Sequence, residues 1–332
     1  MKFLKIACVA LALAAAVYSV AVAFPALGRS ERQEAPAYEG ILTLWHTDSF
    51  EGGVGARSQF LLRRAAEFEK KHPGVLISVQ TYTAEGLAEK LKAGETPDLV
   101  SYGLGTELSG AVELTADYAF SAGEYDGQFA LPWCMGGYVL IANPSASEIP
   151  EPPYRFDSLL VSKNPYGQPL AALALEGYTA GQLQVLDPMD AYVSFVGGKI
   201  PYFLGTQRDL HRLERRNFEV LTRPLTQYDD LYQCISVLSE TPARAYYAQA
   251  FVTFLLSEPS QKKLEEIGMW SAYWPVPSEN AHVSALAAAA GGRSLSLLTD
   301  RLRLDEFYAL SVSAAQGDEA ALKNLKNFTG LT

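Results

Sequence analysis

The residues best placed to do chemistry lie in the segment 45–58, WHTDSFEGGVGARS, between an apolar run and a helical pattern. A phosphate cradle needs backbone N–H groups at a helix N-terminus, followed by a Lys-Ser/Thr pair or a third glycine. Ser58 stands where the dinucleotide fingerprint needs its last glycine, and no lysine follows. The segment therefore lacks a nucleotide fingerprint, but it predicts a helix N-terminus beside a strand end, which suits a polar or anionic group.

The same segment could also bring metal-binding side chains together. His46, Asp48 and Glu51 lie within six residues, and divalent ions bind such sets. The histidines of the chain are His46, His72, His211 and His282. None of them has a partner four residues away, as a helical metal site would provide. We favour polar side chains that line a solvated loop, and we expect neither a metal nor a cofactor.

Signatures of hydrolysis are weak. The chain has no G-x-S-x-G nucleophile elbow, and Cys134 lies in an apolar run rather than in a reactive setting. Glu51 and Glu107 could face each other as a glycosidase pair, but a chain with 37 acidic residues offers many such pairs. We expect a non-enzymatic protein, and a secreted glycosidase stays as an alternative.

Aromatic residues are placed more distinctively. Five of them fall at the ends of predicted strands or in the loops that follow, namely Trp45, Tyr102, Trp133, Trp270 and Trp274. Flat apolar rings beside a few polar groups suit a concave small-molecule pocket, and sugars offer C–H faces that stack on such rings. We expect some of these five, Trp133 above all, to lie in the core instead.

The N-terminus predicts export. Lys2 and Lys5 precede an uncharged apolar run from Ile6 to Leu27, so residues 1–28 read as a signal peptide or a membrane anchor, followed by a linker over 29–38. Cys8 lacks an apolar residue three positions before it, which excludes an ordinary lipobox. We expect an extracytoplasmic protein, either secreted or anchored at the outer face of the cytoplasmic membrane.

Charge and cysteine usage narrow the partners. The net charge is −10, and no basic patch with interleaved aromatic residues occurs, so nucleic acid is not an expected partner. Beyond the leader only Cys134 and Cys234 remain. Both have apolar neighbours, so we expect two buried thiols, with a single disulfide as the alternative.

Strand and helix patterns alternate after the linker. GILTLWHT, VLISVQTY and PDLVSYG read as strands, and residues 57–71 and TAEGLAEKLKAGE read as the helices between them. Leu61, Ala65 and Phe68 recur at the spacing of one buried helix face. This order predicts a parallel sheet with crossover helices, whose carboxyl-end loops WHTDSFEGG and SYGLGTE are the first candidate binding positions.

The remaining chain predicts a second α/β region. FALPWCMGGYVLIANP reads as a strand with a Gly-Gly break that leaves one lobe for another, and GGKIPYFLGTQRDLHRLERRNFEVLTRP as strand, loop, helix and strand. Thr206 and Asp209 have the spacing of a capping box. DLYQCISVLSE then predicts a strand, and the sequence from Ala243 onward is mainly helical.

Six segments in this order resemble the extracellular solute-binding proteins of ABC importers, specifically the maltose-binding-like carbohydrate branch. The segments are GILTLWHTDSFEGG, AAEFEKKHPGVLISVQTYTAEGLAEKLKAGETPDLVSYG, LPWCMGGYVLIANP, FVGGKIPYFLGTQRDL, AFVTFLLSEPSQKKLEEIGMWS and SAAQGDEAALKNL. The resemblance implies a two-lobed α/β fold of the periplasmic-binding-protein-like type II, with a ligand cleft between lobes joined by crossing hinge strands.

On that template, lobe 1 comprises residues 39–138 and 230–284, and lobe 2 comprises 139–229 and 285–332. Lobe 2 looks shortened, because 143–197 leaves few residues for helices. By position in the template, a set of residues would face the cleft as ligand-binding residues. They are Trp45, His46, Glu51, Gly52, Gly53, Tyr102, Gly103, Met135, Gly136, Gln207, Arg208 and Trp270.

The resemblance also implies a function. We expect a substrate-binding component that captures a small solute, a sugar or an oligosaccharide, by hinge closure and delivers it to ABC permease subunits. The alternative is a membrane-anchored interaction or sensory protein that keeps the fold without feeding a transporter.

Overall fold

The computed structural model describes residues 35–47, 55–106, 108–114, 129–239, 241–274, 278–289 and 301–331. Contacts divide the chain into two compact units, Met1–Ala37 and Tyr38–Thr332, and all helices and strands given below belong to the second unit. Among the described helices, none combines the length and the hydropathy that a membrane span requires.

The described part of the second unit contains ten strands and ten α-helices. The strands are β1 (Gly40–Thr47), β2 (Val75–Tyr82), β3 (Leu99–Tyr102), β4 (Leu131–Cys134), β5 (Tyr138–Ala142), β6 (Tyr154–Ser162), β7 (Tyr178–Leu186), β8 (Tyr202–Thr206), β9 (Leu221–Pro224) and β10 (Gln233–Val237). The α-helices are α1 (Arg57–Glu69), α2 (Ala84–Lys92), α3 (Gln168–Leu175), α4 (Pro188–Val196), α5 (Gln207–Glu214), α6 (Pro242–Leu256), α7 (Glu258–Gln261), α8 (Ala281–Ala289), α9 (Arg301–Ala315) and α10 (Glu319–Thr329). A 3₁₀ helix, Lys262–Ile267, follows α7.

The first sheet has the strand order β2-β1-β3-β10-β4. β1 runs parallel to β2 and β3, with α1 and α2 as the crossover helices, which confirms the prediction for this half of the chain. β10 returns antiparallel between β3 and β4. Cys134 and Cys234 lie on the adjacent strands β4 and β10 as buried thiols.

Helix α1 shows how the sequence pattern produces the packing. Leu61, Ala65 and Phe68 are buried as their spacing predicts, and the Phe68 ring meets that of Phe251 in α6 at 5.5 Å. The helix ends at Glu69, two residues before the predicted end, because the backbone N–H groups of residues 71 and 72 turn back onto the carbonyl of Phe68. The turn delivers the chain into β2 beside β1.

The second sheet has the strand order β7-β6-β8-β5-β9. β6 runs parallel to β7 and β8, and β5 runs antiparallel to β8 and β9. Residues 143–197, expected to leave room for few helical residues, contain β6, α3, β7 and α4. These two helices have eight and nine residues, and the second sheet has as many strands as the first.

Helix α5 begins directly after β8, without the predicted loop. The predicted capping box is present, because the Asp209 carboxylate accepts the Thr206 N–H at 2.9 Å and the Thr206 side chain caps the helix in return. In the C-terminal part, α8 packs against α5 and β9, whereas α9 and α10 pack against α3. The described tail from residue 281 thus packs on the second-sheet side.

Asp98, just before β3, joins several elements of the first sheet. Its carboxylate accepts hydrogen bonds from the Thr43 N–H at 2.7 Å, from Ser239 at 2.9 Å and from the Arg244 Nε at 2.7 Å. Burial by itself raises the pKa of Asp98, but the hydrogen bonds from Arg244, Thr43 and Ser239 outweigh burial and hold the pKa below its ordinary value.

Replacing Asp98 by asparagine should reduce the free energy of unfolding by about 2 kcal/mol at neutral pH, because the charged acceptor is lost while the shape is kept. Urea unfolding measures this change. The lowered pKa means that the stabilisation is present above the unfolded-state pKa and is lost as the pH falls through the folded-state value. The two proteins should therefore approach equal stability in acid.

Asp157→Asn is the control, because Asp157 is an exposed aspartate on β6. It should change the free energy of unfolding by less than about 0.5 kcal/mol. Equal losses in the two variants would show that the Asp98 network does not stabilise the first sheet.

Candidate functional site

A cavity of about 440 Å³ lies where the carboxyl ends of β1 and β2 face the loop between β6 and α3. The first-sheet side contributes Thr47, Thr81, Tyr82, Thr83, Ala84, Glu85, Leu104 and Thr106, and the second-sheet side contributes Pro165 and Tyr166. Ligand cavities for small molecules span roughly 300 to 1,000 Å³. The cavity is therefore large enough for a small solute that contacts both sides.

The chemistry of the lining is that of hydroxyl groups and aromatic rings. Threonine side chains and two tyrosines, Tyr82 and Tyr166, supply hydroxyls that both donate and accept hydrogen bonds. Of the described lining residues only Glu85 carries a charge at neutral pH, and it lies in the first turn of α2. This set can hydrogen-bond a polar solute and stack on its apolar faces.

The predicted residues at the end of β1 divide between the two faces of the sheet, because successive side chains of a strand point to opposite sides. The Trp45 side chain is 5% exposed, and its ring lies edge-on to Tyr82 with centroids 5.4 Å apart. His46 is fully buried, with Nδ1 3.0 Å from the Ser101 hydroxyl. Thr47 lines the cavity; it belongs to the loop WHTDSFEGG that the sequence singled out, although it was not among the individual residues predicted. Trp45 supports the wall through its contact with Tyr82.

Tyr102, at the end of β3, is buried in a cluster with Trp45, and the loop that follows it contributes to the cavity wall. The Tyr102 hydroxyl lies 3.1 Å from that of Ser236 on β10, and burial raises the pKa of Tyr102 well above its ordinary value. Gly103 is buried. Leu104 and Thr106, in the loop that the sequence singled out after the third strand, line the cavity.

Another group of predicted residues meets at the junction between the two sheets. Met135 and Trp270 exchange backbone hydrogen bonds of 2.9 and 2.8 Å. The buried Gln207 side chain accepts the Gly137 N–H at 2.9 Å. A Cβ added at Gly136 would lie 2.2 Å from the Gln207 amide, so the Gln207 side chain packs directly against this glycine.

Arg208 and Trp270 complete this junction. Arg208 is 3% exposed and donates to the carbonyl oxygen of Gly55, just before α1, so it links α5 to the first-sheet side. Trp270 is 2% exposed and packs in the second-sheet core near Leu286. The structure thus brings Met135, Gly136, Gln207, Arg208 and Trp270 together, but in a packed junction and not in the cavity lining.

The other residues considered from the sequence are placed as follows. Trp133 is fully buried and stacks on Phe60 at 5.7 Å, which confirms its predicted place in the core. Trp274 donates its ring N–H to the Leu256 carbonyl at 3.0 Å. Glu51, Gly52 and Gly53 lie outside the described residues, as do Asp48 and Glu107. Within the described ranges, no group of three or more histidine, cysteine or acidic side chains could hold a metal ion.

Sequence reasoning missed the wall formed by residues 81–85. A signal was available, since β2 is parallel to β1 and its carboxyl end must meet the same edge of the sheet. Tyr166 had no such signal, because it reaches the cavity from the other sheet through a loop.

Tyr166 lies close to the first-sheet side at Gly105. Gly105 has φ of +84°, and a Cβ added there would lie 2.5 Å from the Tyr166 hydroxyl oxygen. Only glycine tolerates both this backbone conformation and this contact. The contact brings the Tyr166 loop against the loop that follows β3.

Comparisons with known proteins identify the fold. No family model matches the chain, and no curated protein matches it. Among solved structures, the GacH receptor of Streptomyces glaucescens, solved unliganded and with acarbose, shows 14% identity and a TM-score of 0.61. The match covers 89% of this chain and 99% of that one.

Two further structures agree. Maltose-bound MalE3 of T. maritima shows 13% identity and a TM-score of 0.62, with 88% of this chain and 100% of that one covered. The spermidine/putrescine ABC transporter substrate-binding protein PotD of Streptococcus pneumoniae shows 14% identity and a TM-score of 0.58, with 83% and 100% covered. The chain has the two-lobed periplasmic-binding-protein-like α/β fold, which confirms the predicted fold class.

The contact between Gly105 and Tyr166 can be tested by substitution. Gly105→Ala should lower the free energy of unfolding by about 1 kcal/mol for the left-handed backbone and by a further 1 to 3 kcal/mol for the clash with Tyr166. Gly94→Ala is a matched control, because Gly94 has φ of +81° and nothing within 4 Å of an added Cβ.

Urea unfolding of both variants, and of both in a Tyr166→Ala background, separates the two costs. The extra loss at Gly105 should disappear once the Tyr166 ring is removed. Equal losses for Gly105→Ala and Gly94→Ala in the presence of Tyr166 would show that the Tyr166 ring does not restrict residue 105.

Proposed function

We propose that this protein is the solute-binding component of an ABC importer and captures a small carbohydrate in the cavity between its lobes. The observation that carries the proposal is the cavity itself, whose lining comes from the carboxyl ends of β1 and β2 on one side and from the Tyr166 loop on the other. A solute that contacts both sides stabilises the closed arrangement of the lobes over the open one.

The lining favours a neutral polyhydroxylated solute. Threonine and tyrosine hydroxyls can pair with sugar hydroxyls, and the rings of Tyr82 and Tyr166 offer faces for the C–H surface of a pyranose. The volume of about 440 Å³ suits a solute of one or two sugar rings. Solved proteins of this fold include binders of acarbose and maltose, which supports a carbohydrate.

Capture would precede delivery outside the cytoplasm. The apolar run over residues 6–27, which predicts export, is consistent with a protein held or released beyond the cytoplasmic membrane. Permease and ATPase subunits would then receive the solute-loaded protein, since binding alone supplies no energy for transport. The protein's own part is recognition, so no catalytic residue is assigned.

A panel of mono- and disaccharides tests the proposal by thermal shift. At roughly 100 times Kd, a bound sugar should add about 2.7 kcal/mol to the stability of the folded state and raise the midpoint by several degrees. Amino acids, short peptides and polyamines complete the panel. No stabilisation by any of these solutes would rule out solute capture, and stabilisation by a non-sugar alone would rule out the carbohydrate.

The same panel with a cavity variant locates the site. Tyr82→Ala should weaken binding of the stabilising solute at least tenfold, because a ring that lines the cavity is lost. Tyr154→Ala is the control, since Tyr154 is 39% exposed on β6, outside this cavity. Equal affinities for both variants would place the binding site elsewhere.

A further inference from the structure

Two passages of the chain between the sheets lie close together and contain a buried pair of acids. The first passage, residues 135–137, leads from β4 to β5, and the second, residues 225–232, leads from β9 to β10. Asp229 and Asp230 of the second passage are each 2% exposed. Buried carboxyl groups of this kind need hydrogen-bond donors or a proton to avoid a large desolvation cost.

Asp230 has such donors. The Tyr138 hydroxyl donates to one carboxylate oxygen at 2.8 Å, and the Tyr228 hydroxyl donates to the other. The side chain of Gln168, the first residue of α3, adds a further hydrogen bond. Tyr138 directly follows the first passage, so its bond to Asp230 ties the end of that passage to the second one.

Asp229 is held differently. One of its oxygens accepts the Leu231 N–H at 3.4 Å, and the other accepts no hydrogen bond from any residue in the described ranges. Burial, followed by the neighbouring charge of Asp230, raises the pKa of Asp229 to about 8. An uncharged carboxyl group is the form that this environment favours at neutral pH.

Among the described residues, Asp230 is the charged group that acts on Asp229. The titratable groups coupled to the acid pair are the tyrosines Tyr138 on β5 and Tyr228 and Tyr232 on the passage, with Cys234 on β10 next to Tyr232. The contribution from α3 is the neutral amide of Gln168. The described groups named here are all acids, so ionising Asp229 adds negative charge beside Asp230.

We propose that Asp229 is a proton-linked element of the hinge, protonated while the passages are packed as in this structure and ionised when the lobes separate and water reaches the passages. The inference rests on the proposed function, because it requires lobes that open and close. Its sign follows from linkage. A carboxyl whose pKa is higher in the closed than in the open form stabilises the closed form fully below the open-form pKa, and this contribution is lost as the pH rises through the closed-form value.

The distance between the lobes reports this equilibrium without any solute. Spin labels on Lys92→Cys in α2 and Asp190→Cys in α4 occupy exposed positions on the two sides, and a Cys8→Ser background removes the leader thiol. Pulsed electron–electron double resonance would then compare the distances between the two labels at about pH 5.5 and at about pH 7.5. The ratio of short to long distances should fall at least roughly tenfold over this interval, since one linked proton allows up to tenfold per pH unit.

Asp229→Asn mimics the protonated acid and should keep the short distances at both pH values. Asp157→Asn, at an exposed position on β6, should respond as the unsubstituted background does. A distance distribution that ignores pH in the Asp229 protein would overturn the inference, and so would an unchanged pH response in Asp229→Asn.

A second measurement covers a variant that fails to fold. In wild-type protein labelled with ¹³C-aspartate, both buried carboxyls should titrate above the ordinary aspartate range, and the one with the higher pKa should titrate in step with the change in distance. The absence of such a carboxyl overturns the inference. If no solute in the panel stabilises the protein, the proposed function fails. That outcome is distinguishable, because the panel does not measure the pH response of the lobe distance.

Discussion

The hydrogen bond from Tyr138 to Asp230 joins the two passages that connect the sheets, and the rest of the structure depends on how these passages are held. Tyr138 is the first residue of β5 in the second sheet, and Asp230 lies three residues before β10 in the first sheet. Gln207 and Arg208 add contacts between the same two halves, at Gly137 and Gly55. The two cavity walls come from different sheets. The buried polar contacts between the sheets therefore hold the two walls in position relative to each other.

The first half of the fold could be predicted because its elements are half-buried. α1 and β2 each present one face to the core, so their apolar residues recur at helical or strand spacing. The second half was less readable for the opposite reason. Every residue of α3 is buried, and a helix that is covered on all sides shows no apolar stripe. β6 follows the proline-rich stretch 150–153, and its first residues are exposed.

The site was harder to predict than the fold. Tryptophans suggested a sugar-binding cleft, yet Trp45 supports Tyr82 from behind, and Trp133 and Trp270 pack in the cores of the two halves. The wall consists instead of short hydroxyl side chains, which sequence patterns do not distinguish from ordinary loop residues. Strand ends of a parallel sheet predict where a wall forms, whereas the choice between ring and hydroxyl depends on the face to which each side chain points.

A crystal structure with the solute that stabilises the protein most strongly tests the central claim directly. The account predicts a sugar in the cavity, in contact with Tyr82 and Thr106 on one side and with Tyr166 on the other, while Met135, Gln207 and Trp270 keep their packed junction. A solute bound away from these walls, or one that contacts a single lobe without closing the cavity, would contradict it.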